Sequence, residues 1–147
     1  MKHIQKVILT NFQQWKKGNI NFKEGLNVIV GDTESGKSTI FRSIYSILTG
    51  KMPEDYIRKS TKCCEVEIHF GDGSVFKRKR SKKDNIAQCG NKVFERVGKE
   101  IPSEYFQELG KTGINFGKEI SLCSYSQFDP HFFITLSDYD KSKLIGT

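Results

Sequence analysis

No stretch of this 147-residue chain approaches the ~18 consecutive apolar residues that a membrane-spanning helix needs. A helical membrane span is therefore excluded. No C-x-x-C pair occurs among Cys63, Cys64, Cys89 and Cys123, so neither a zinc ribbon nor a disulfide framework finds support. Adjacent Cys63 and Cys64 read as ordinary strand residues. His3, His69 and His131 have no partners at metal-ligand spacing. There is no internal repeat and no low-complexity tract. Met1-Lys2-His3 leads directly into a strand pattern with no secretory apolar region. The expected setting is reducing and cytoplasmic, with no membrane partner. Acid is also in short supply. Lys and Arg number 24 against 17 Asp and Glu, a net charge of +7, which favours an anionic partner, nucleic acid first.

What the chain does have is a complete G-x-x-x-x-G-K-[ST] run, Gly31-Asp32-Thr33-Glu34-Ser35-Gly36-Lys37-Ser38-Thr39. The apolar Leu26-Asn27-Val28-Ile29-Val30 precedes it and an apolar-periodic stretch from Ile40 to Leu48 follows. A Gly-rich turn between a buried strand and a helix is the context in which this motif cradles phosphates. Gly31 and Gly36 permit a tight curl whose N–H groups converge on phosphate oxygens. A helix starting near Lys37 adds the positive end of its dipole. Lys37 supplies a mobile charge for the terminal phosphates, and the Ser38 hydroxyl completes the shell of a magnesium ion. The residues imply binding of a nucleoside triphosphate with magnesium.

The rest of the pattern gives an α/β organisation. Val7–Leu9 and Ile20–Phe22 read as short strands around a turn over Gln13–Asn19. Leu26–Val30 reads as a central strand buried on both faces. The helix after the loop places Ile40, Phe41, Ile44, Ile47 and Leu48 on one stripe, with Gly50 at its C-terminus. Cys64–Phe70 alternates, Asp72-Gly73 signals a hairpin, and Ser74–Arg80 returns. Asn85–Cys89 and Lys92–Phe94 form a further pair across Gly90-Asn91. Ser103 caps a short helix ending at Gly110. Ile120–Tyr125 reads as a strand running to Gln127, and Ser137 begins a last helix.

This order of features resembles the N-terminal half of an ATPase head of the SMC-like group, with SbcC-type double-strand-break-repair ATPases and RecF-like proteins nearest. The resemblance spans the whole chain. It rests on Leu9-Thr10-Asn11-Phe12, Gly25-Leu26-Asn27, the Gly31–Thr39 loop, the helix ending at Gly50, Tyr56-Ile57-Arg58-Lys59, and Ser126-Gln127-Phe128 followed by Phe132-Phe133. It implies the N-terminal lobe of an ABC-type P-loop NTPase head: a mixed sheet with an antiparallel β addition and a helix behind the phosphate loop. Residues 1–147 would form that lobe, with about 137–147 starting a helix into a coiled coil. Asp32-Thr33-Glu34 stands where such heads commonly carry Pro-Asn-Gly, setting two acids beside the phosphates. Phe-Asp-Pro follows Gln127 in place of the usual Gly.

The resemblance also assigns roles. Lys37 and Gln127 become the catalytic pair, Gln127 touching magnesium and the attacking water. ATP is the expected nucleotide. The expected partners are the C-terminal half of the same head, a second head, double-stranded DNA bound without sequence preference, and a nuclease subunit. Phe12 and Trp15 lie where the base and ribose are approached, although core packing is the stronger reading of both. Arg58 is a phosphate or DNA contact, or simply a surface residue. Two family elements are missing from the chain: no run of four apolar residues ends in an acidic pair, and Leu136-Ser137 lacks the glycines of a Ser-Gly-Gly signature.

Lys77-Arg78-Lys79-Arg80-Ser81-Lys82-Lys83 holds six cations in seven residues. Lys77, Lys79, Arg80, Lys82 and Lys83 are candidate contacts to duplex phosphates; a solvated hairpin tip is the competing reading. A GTPase is disfavoured, because Asn91-Lys92-Val93-Phe94 places Phe where a base reader needs Asp. A small nucleoside kinase would carry an Arg-rich lid. An overcoming-lysogenization-type defence ATPase with a fused nuclease, and a nucleotide-dependent interaction lobe without activity of its own, remain as alternatives. If Gln127 is the sensor, Gln127→Ala in the complete protein retains nucleotide affinity but slows hydrolysis and nucleotide-driven association; unchanged turnover would remove Gln127 from the site.

Overall fold

The computed structural model describes residues 3–95 and 101–110, with the backbone of 114–115 and 119–120. Two compact units divide the chain, residues 1–110 and 111–147. The first is built on a six-stranded sheet: β1 (Ile4–Phe12), β2 (Trp15–Asn21), β3 (Cys63–Phe70), β4 (Val75–Ser81), β5 (Asn85–Cys89) and β6 (Lys92–Phe94). Their order is β2-β1-β3-β4-β5-β6, and every neighbouring pair is antiparallel. In the second unit, β7 (Ile114–Asn115) pairs with β8 (Glu119–Ile120).

Alternation decides which face of the sheet is covered. Val7 and Leu9 of β1, Cys64, Val66, Ile68 and Phe70 of β3, Phe76 of β4 and Ala87 of β5 are all buried. Against them pack Ile47 of α1 (Lys37–Thr49), Tyr105 and Leu109 of α2 (Ser103–Leu109), and Met52 and Ile101 from the connections. Phe76 and Tyr105 meet edge-on at 5.4 Å between ring centroids, and Phe70 does the same to Phe76 at 5.5 Å. The Tyr105 hydroxyl donates to the Ile47 carbonyl at 3.3 Å, tying the two helices. Burial pushes that phenol well above its ordinary range.

α1 lies on the sheet through small residues. Thr39, Ser43 and Ser46 are buried beside Ile40 and Ile47. Ser43 and Ser46 satisfy their hydroxyls on the Ile40 and Ser43 carbonyls at 2.6 and 2.7 Å. The expected apolar stripe is therefore rotated. Phe41, placed in it by the sequence, is 65% exposed, because a small-residue face allows the closer approach to the sheet. Gly50 ends the helix in the left-handed region at φ 75°, as expected.

A buried cation locks that helix end. Arg78, fully buried on β4, donates from Nη1 to the Gly50 carbonyl and from Nη2 to Asn85 Oδ1, both at 2.7 Å. The last turn of α1 has no basic residue of its own, so a strand supplies the positive charge that a helix C-terminus favours. Burial lowers the Arg78 pKa from its ordinary range.

Three further expectations are corrected. Leu26–Val30 forms no strand: Leu26, Val28 and Val30 are 92%, 73% and 83% exposed, since no described strand runs beside them to take their hydrogen bonds. The segment Gln13–Asn19 is a turn only at Gln13 and Gln14, and β2 begins at Trp15. Ser103 does not cap α2; Pro102 holds the N-cap position and Ser103 is the first helical residue. Beyond Ile120, the expected strand to Tyr125, Gln127 and the helix from Ser137 lie outside the described residues.

Arg78→Ala should lower unfolding free energy by about 3 kcal/mol, because it strands the Gly50 carbonyl and opens a void under α1. Lys79→Ala, at an exposed position of the same strand, should stay within about 0.5 kcal/mol. Urea denaturation of both variants checks the difference.

Candidate phosphate-binding site and basic hairpin

The loop between Val30 and α1 is organised by two left-handed residues. Gly36 sits at φ 97° and Glu34 at φ 64°. Glu34 occupies the position where the resembling heads carry Gly, so the left-handed conformation persists at a cost of roughly 1–2 kcal/mol for an L-residue. Ser35 N–H donates to the Asp32 carbonyl at 3.2 Å and closes the turn. A Cβ on Gly31 would come within 2.8 Å of Ser35 Oγ, so a side chain there would make the Ser35 hydroxyl turn aside.

Lys37 folds back over this loop. Its Nζ donates to the Gly31 and Asp32 carbonyls, each at 2.6 Å, with Ser35 Oγ at 3.5 Å. The ammonium thus stands among the loop carbonyls, on a stem flexible enough to exchange them for phosphate oxygens. Thr39 and Ile40 N–H both donate to the Gly36 carbonyl, so the first free N–H groups of α1 belong to Lys37 and Ser38. The first turn contains no acidic residue and the N-cap makes no side-chain bond. An anion is left to complete the helix end. Ser38 is exposed at that end, whereas Thr39 is buried. The donor set fits a triphosphate, and the open Ser38 hydroxyl fits a magnesium ligand.

The sequence did not reveal what holds the loop from behind. Thr39 Oγ1 and Arg42 Nη1 both donate to Gln13 Oε1, at 3.0 and 3.2 Å. Gln14 Nε2 donates to the Glu34 carbonyl at 3.1 Å. A Cβ on Gly36 would lie 2.2 Å from Trp15 Nε1 and 2.5 Å from Gln14 Nε2. Gln13 and Gln14 of the β1–β2 turn and Trp15, the first residue of β2, therefore seat the loop and helix. That turn is anchored in its own right: Gln13 N–H donates to the Tyr56 carbonyl at 2.8 Å, Arg58 N–H to the Asn11 carbonyl at 2.9 Å, and Arg58 Nη1 to the Gln14 carbonyl. Amides in a short turn have no periodicity to betray them. Phe12 is fully buried, its ring 5.0 Å from that of Tyr56, and belongs to the core. Gln127 lies outside the described residues.

The basic run divides by strand face. Lys77 and Lys79 of β4 stand opposite Glu67 and Glu65 of β3, and Lys77 Nζ is 2.6 Å from Glu67 Oε2. Arg78 is buried. Arg80 turns to the same side as Arg78, where its Nη2 meets Glu54 Oε1 at 3.1 Å. Arg80 is thereby drawn away from the other candidate phosphate contacts by a carboxylate. Lys79, Lys82 and Lys83 are exposed, and Asp84 in the same turn accepts from Ser81 Oγ at 3.1 Å.

Comparison with known proteins places this geometry. The family model described as AAA domain matches residues 6–141. A DNA double-strand break repair Rad50 ATPase of Nanoarchaeum equitans is 27% identical over 84% of this chain, which spans 17% of that protein. A DNA replication and repair protein RecF of Alkaliphilus oremlandii is 24% identical over 94% of the chain and 42% of its own length. A solved chain from work on ATP-driven dimerization and DNA-stimulated activation of SMC ATPases superposes with a TM-score of 0.69, at 24% identity, covering 98% of both chains. The fold is that of the N-terminal lobe of an ABC-type ATPase head.

The pairing of Glu67 with Lys77 and with His69 Nε2, at 2.6 and 2.5 Å, gives a pH prediction. Burial would raise the Glu67 pKa, but the hydrogen bonds and charges of Lys77 and His69 outweigh it, and the carboxyl lies below its ordinary 4.5. A depressed carboxyl contributes stability that is complete above the unfolded value and lost as pH falls through the folded one. Denaturation midpoints should therefore drop as pH falls below about 4.5, and less steeply in Glu67→Gln. Parallel profiles would show that the pair contributes nothing.

Proposed function

This chain belongs to the AAA domain family, and from that premise we propose that it is the ATP-binding lobe of an SMC-like ATPase acting on DNA in repair or chromosome maintenance. One observation carries the reading: a curled loop around Lys37 that feeds a helix start with free N–H groups and no acidic residue in its first turn. In this role Gly31 to Thr39 wrap the phosphates, Lys37 neutralises the terminal ones, and Ser38 and Gln127 hold magnesium. Gln127 relays occupancy to the remainder of the head.

The complete machine works by ligand-driven association. Two heads enclose two ATP molecules, and loss of the γ-phosphate contacts lets them part. A relative's description as ATP-driven in dimerization and DNA-stimulated in activation supports that cycle. The C-terminal half of the head, reached through a coiled coil, supplies the acidic base and the signature that these residues lack. It also supplies cover for Leu26, Val28 and Val30, whose exposure is what favours the second reading, an interaction lobe that turns nucleotide over only when complemented. DNA would lie across Lys77, Lys79, Lys82 and Lys83, and a nuclease subunit would answer to head closure.

Calorimetry of this chain with ATP and magnesium should give weak binding that Lys37→Ala reduces by at least about tenfold. Hydrolysis by the chain alone should be negligible and should appear on adding the separately produced C-terminal half. Absence of binding in the folded chain would end the proposal, and robust turnover without the second half would contradict the assignment of the base to it.

A further inference from the structure

We propose that Gln14 is a positioning residue for the phosphate loop, its side-chain amide holding the Glu34 carbonyl and so keeping a non-glycine residue in the left-handed conformation the loop requires. The inference rests on the nucleotide-binding reading and adds a residue to it. Four observations converge. Glu34 stands at φ 64°, a conformation L-residues adopt at a cost. The Gln14 amide donates to its carbonyl at 3.1 Å. The same amide and the Trp15 indole occupy the space beside Gly36, the second left-handed residue, so that no Cβ fits there. The Gln14 main chain is itself pinned, its carbonyl accepting from the Arg58 guanidinium. Arg58 is also fixed to β1 through its N–H and the Asn11 carbonyl, at 2.9 Å. The turn is thus tied to the sheet and reaches from it to the loop.

The physical role is one of population. A loop that must hold a strained residue binds phosphate in proportion to the fraction of time it spends in the competent shape. With Glu34 strained, one hydrogen bond from Gln14 moves that fraction appreciably. With glycine at position 34 the left-handed state carries no side-chain penalty. The loop then remains largely competent whether or not Gln14 donates.

This predicts a specific pattern of suppression. Gln14→Met keeps the length and packing of the side chain but removes the donor. It should weaken binding of ATP with magnesium by about fivefold in the native loop. Glu34→Gly should bind more tightly than the native chain, having lost both strain and a negative charge. In that background Gln14→Met should cost less than about twofold. Calorimetric titration of the four proteins measures the cycle. Urea denaturation of each without nucleotide separates it from general destabilisation, which glycine at position 34 would not relieve. An equal loss in both backgrounds would overturn the proposal by making Gln14 a direct ligand contact or a part of the fold alone. No loss on Gln14→Met would also overturn it. Native protein that binds no ATP would remove the nucleotide reading itself, an outcome distinct from the other two.

Discussion

There is no room for a side chain at Gly36, and much of this lobe is arranged around that restriction. The indole of Trp15 and the amide of Gln14 fill the space a Cβ would take, and the backbone is left-handed as well. A residue with a side chain would have to displace the Trp15 and Gln14 side chains and still hold a left-handed backbone. The turn cannot easily yield, because Phe12 beside it is buried in the core and Gln13 and Arg58 bond across to the Tyr56 and Asn11 carbonyls. The loop, the helix start and the β1–β2 turn are thus packed and hydrogen-bonded together. The candidate phosphate site is thereby braced against the sheet, the kind of support a preorganised anion site needs.

The parts of this arrangement that could be read from the sequence share a property: their determinants are contiguous. The phosphate loop is nine consecutive residues, and the helix after it starts at Lys37 as expected. The meander β3 to β6 follows from strict alternation in Cys64, Val66, Ile68 and Phe70 and from turn residues at Asp72-Gly73 and Gly90-Asn91. What escaped was determined across space. Gln13, Gln14 and Arg42 become site residues only because the sheet brings the β1–β2 turn against the loop. Phe41 looked like a core residue by spacing, but the buried face of α1 was set by the small residues Ser43 and Ser46. β2 was missed over most of its length because Trp15-Lys16-Lys17-Gly18-Asn19 has little apolar alternation, and pairing with β1 supplies its order.

The basic run illustrates the same division within a single strand. Alternation correctly separates Lys77 and Lys79 from Arg78 and Arg80, yet says nothing about which set is buried. Partners decide that. The Gly50 carbonyl and Asn85 accept Arg78, and its planar fork suits two acceptors at fixed angles in a way an ammonium would not. Lys77 instead faces Glu67 on the other side of the sheet. A cluster that looks uniform in the sequence thus contains a structural rivet, a solvent-side ion pair and the free charges of a turn. Among the described residues, the charges of the turn, Lys82 and Lys83, make no ion pair.

Leu26 to Val30 shows how far a strand-forming sequence depends on its neighbours. Apolar content and position before a phosphate loop are the usual attributes of a central strand, yet these residues lie open. The Asn27 side chain bonds the Lys23 N–H and the Lys23 and Gly25 carbonyls, so the chain entering the segment is organised locally instead. Covering Leu26, Val28 and Val30 would gain about 1.5–3 kcal/mol for each side chain, more than a local turn of this kind contributes. On the proposed function, this segment would pair with the C-terminal half of the head and be completed by it as a strand. It runs directly into Gly31, so whatever chain pairs with it also fixes the entry to the phosphate loop, while Gln14 and Trp15 fix the exit. With such a partner in place, the loop would be held at both ends, and occupancy at the proposed nucleotide site and assembly of the surrounding sheet would depend on each other.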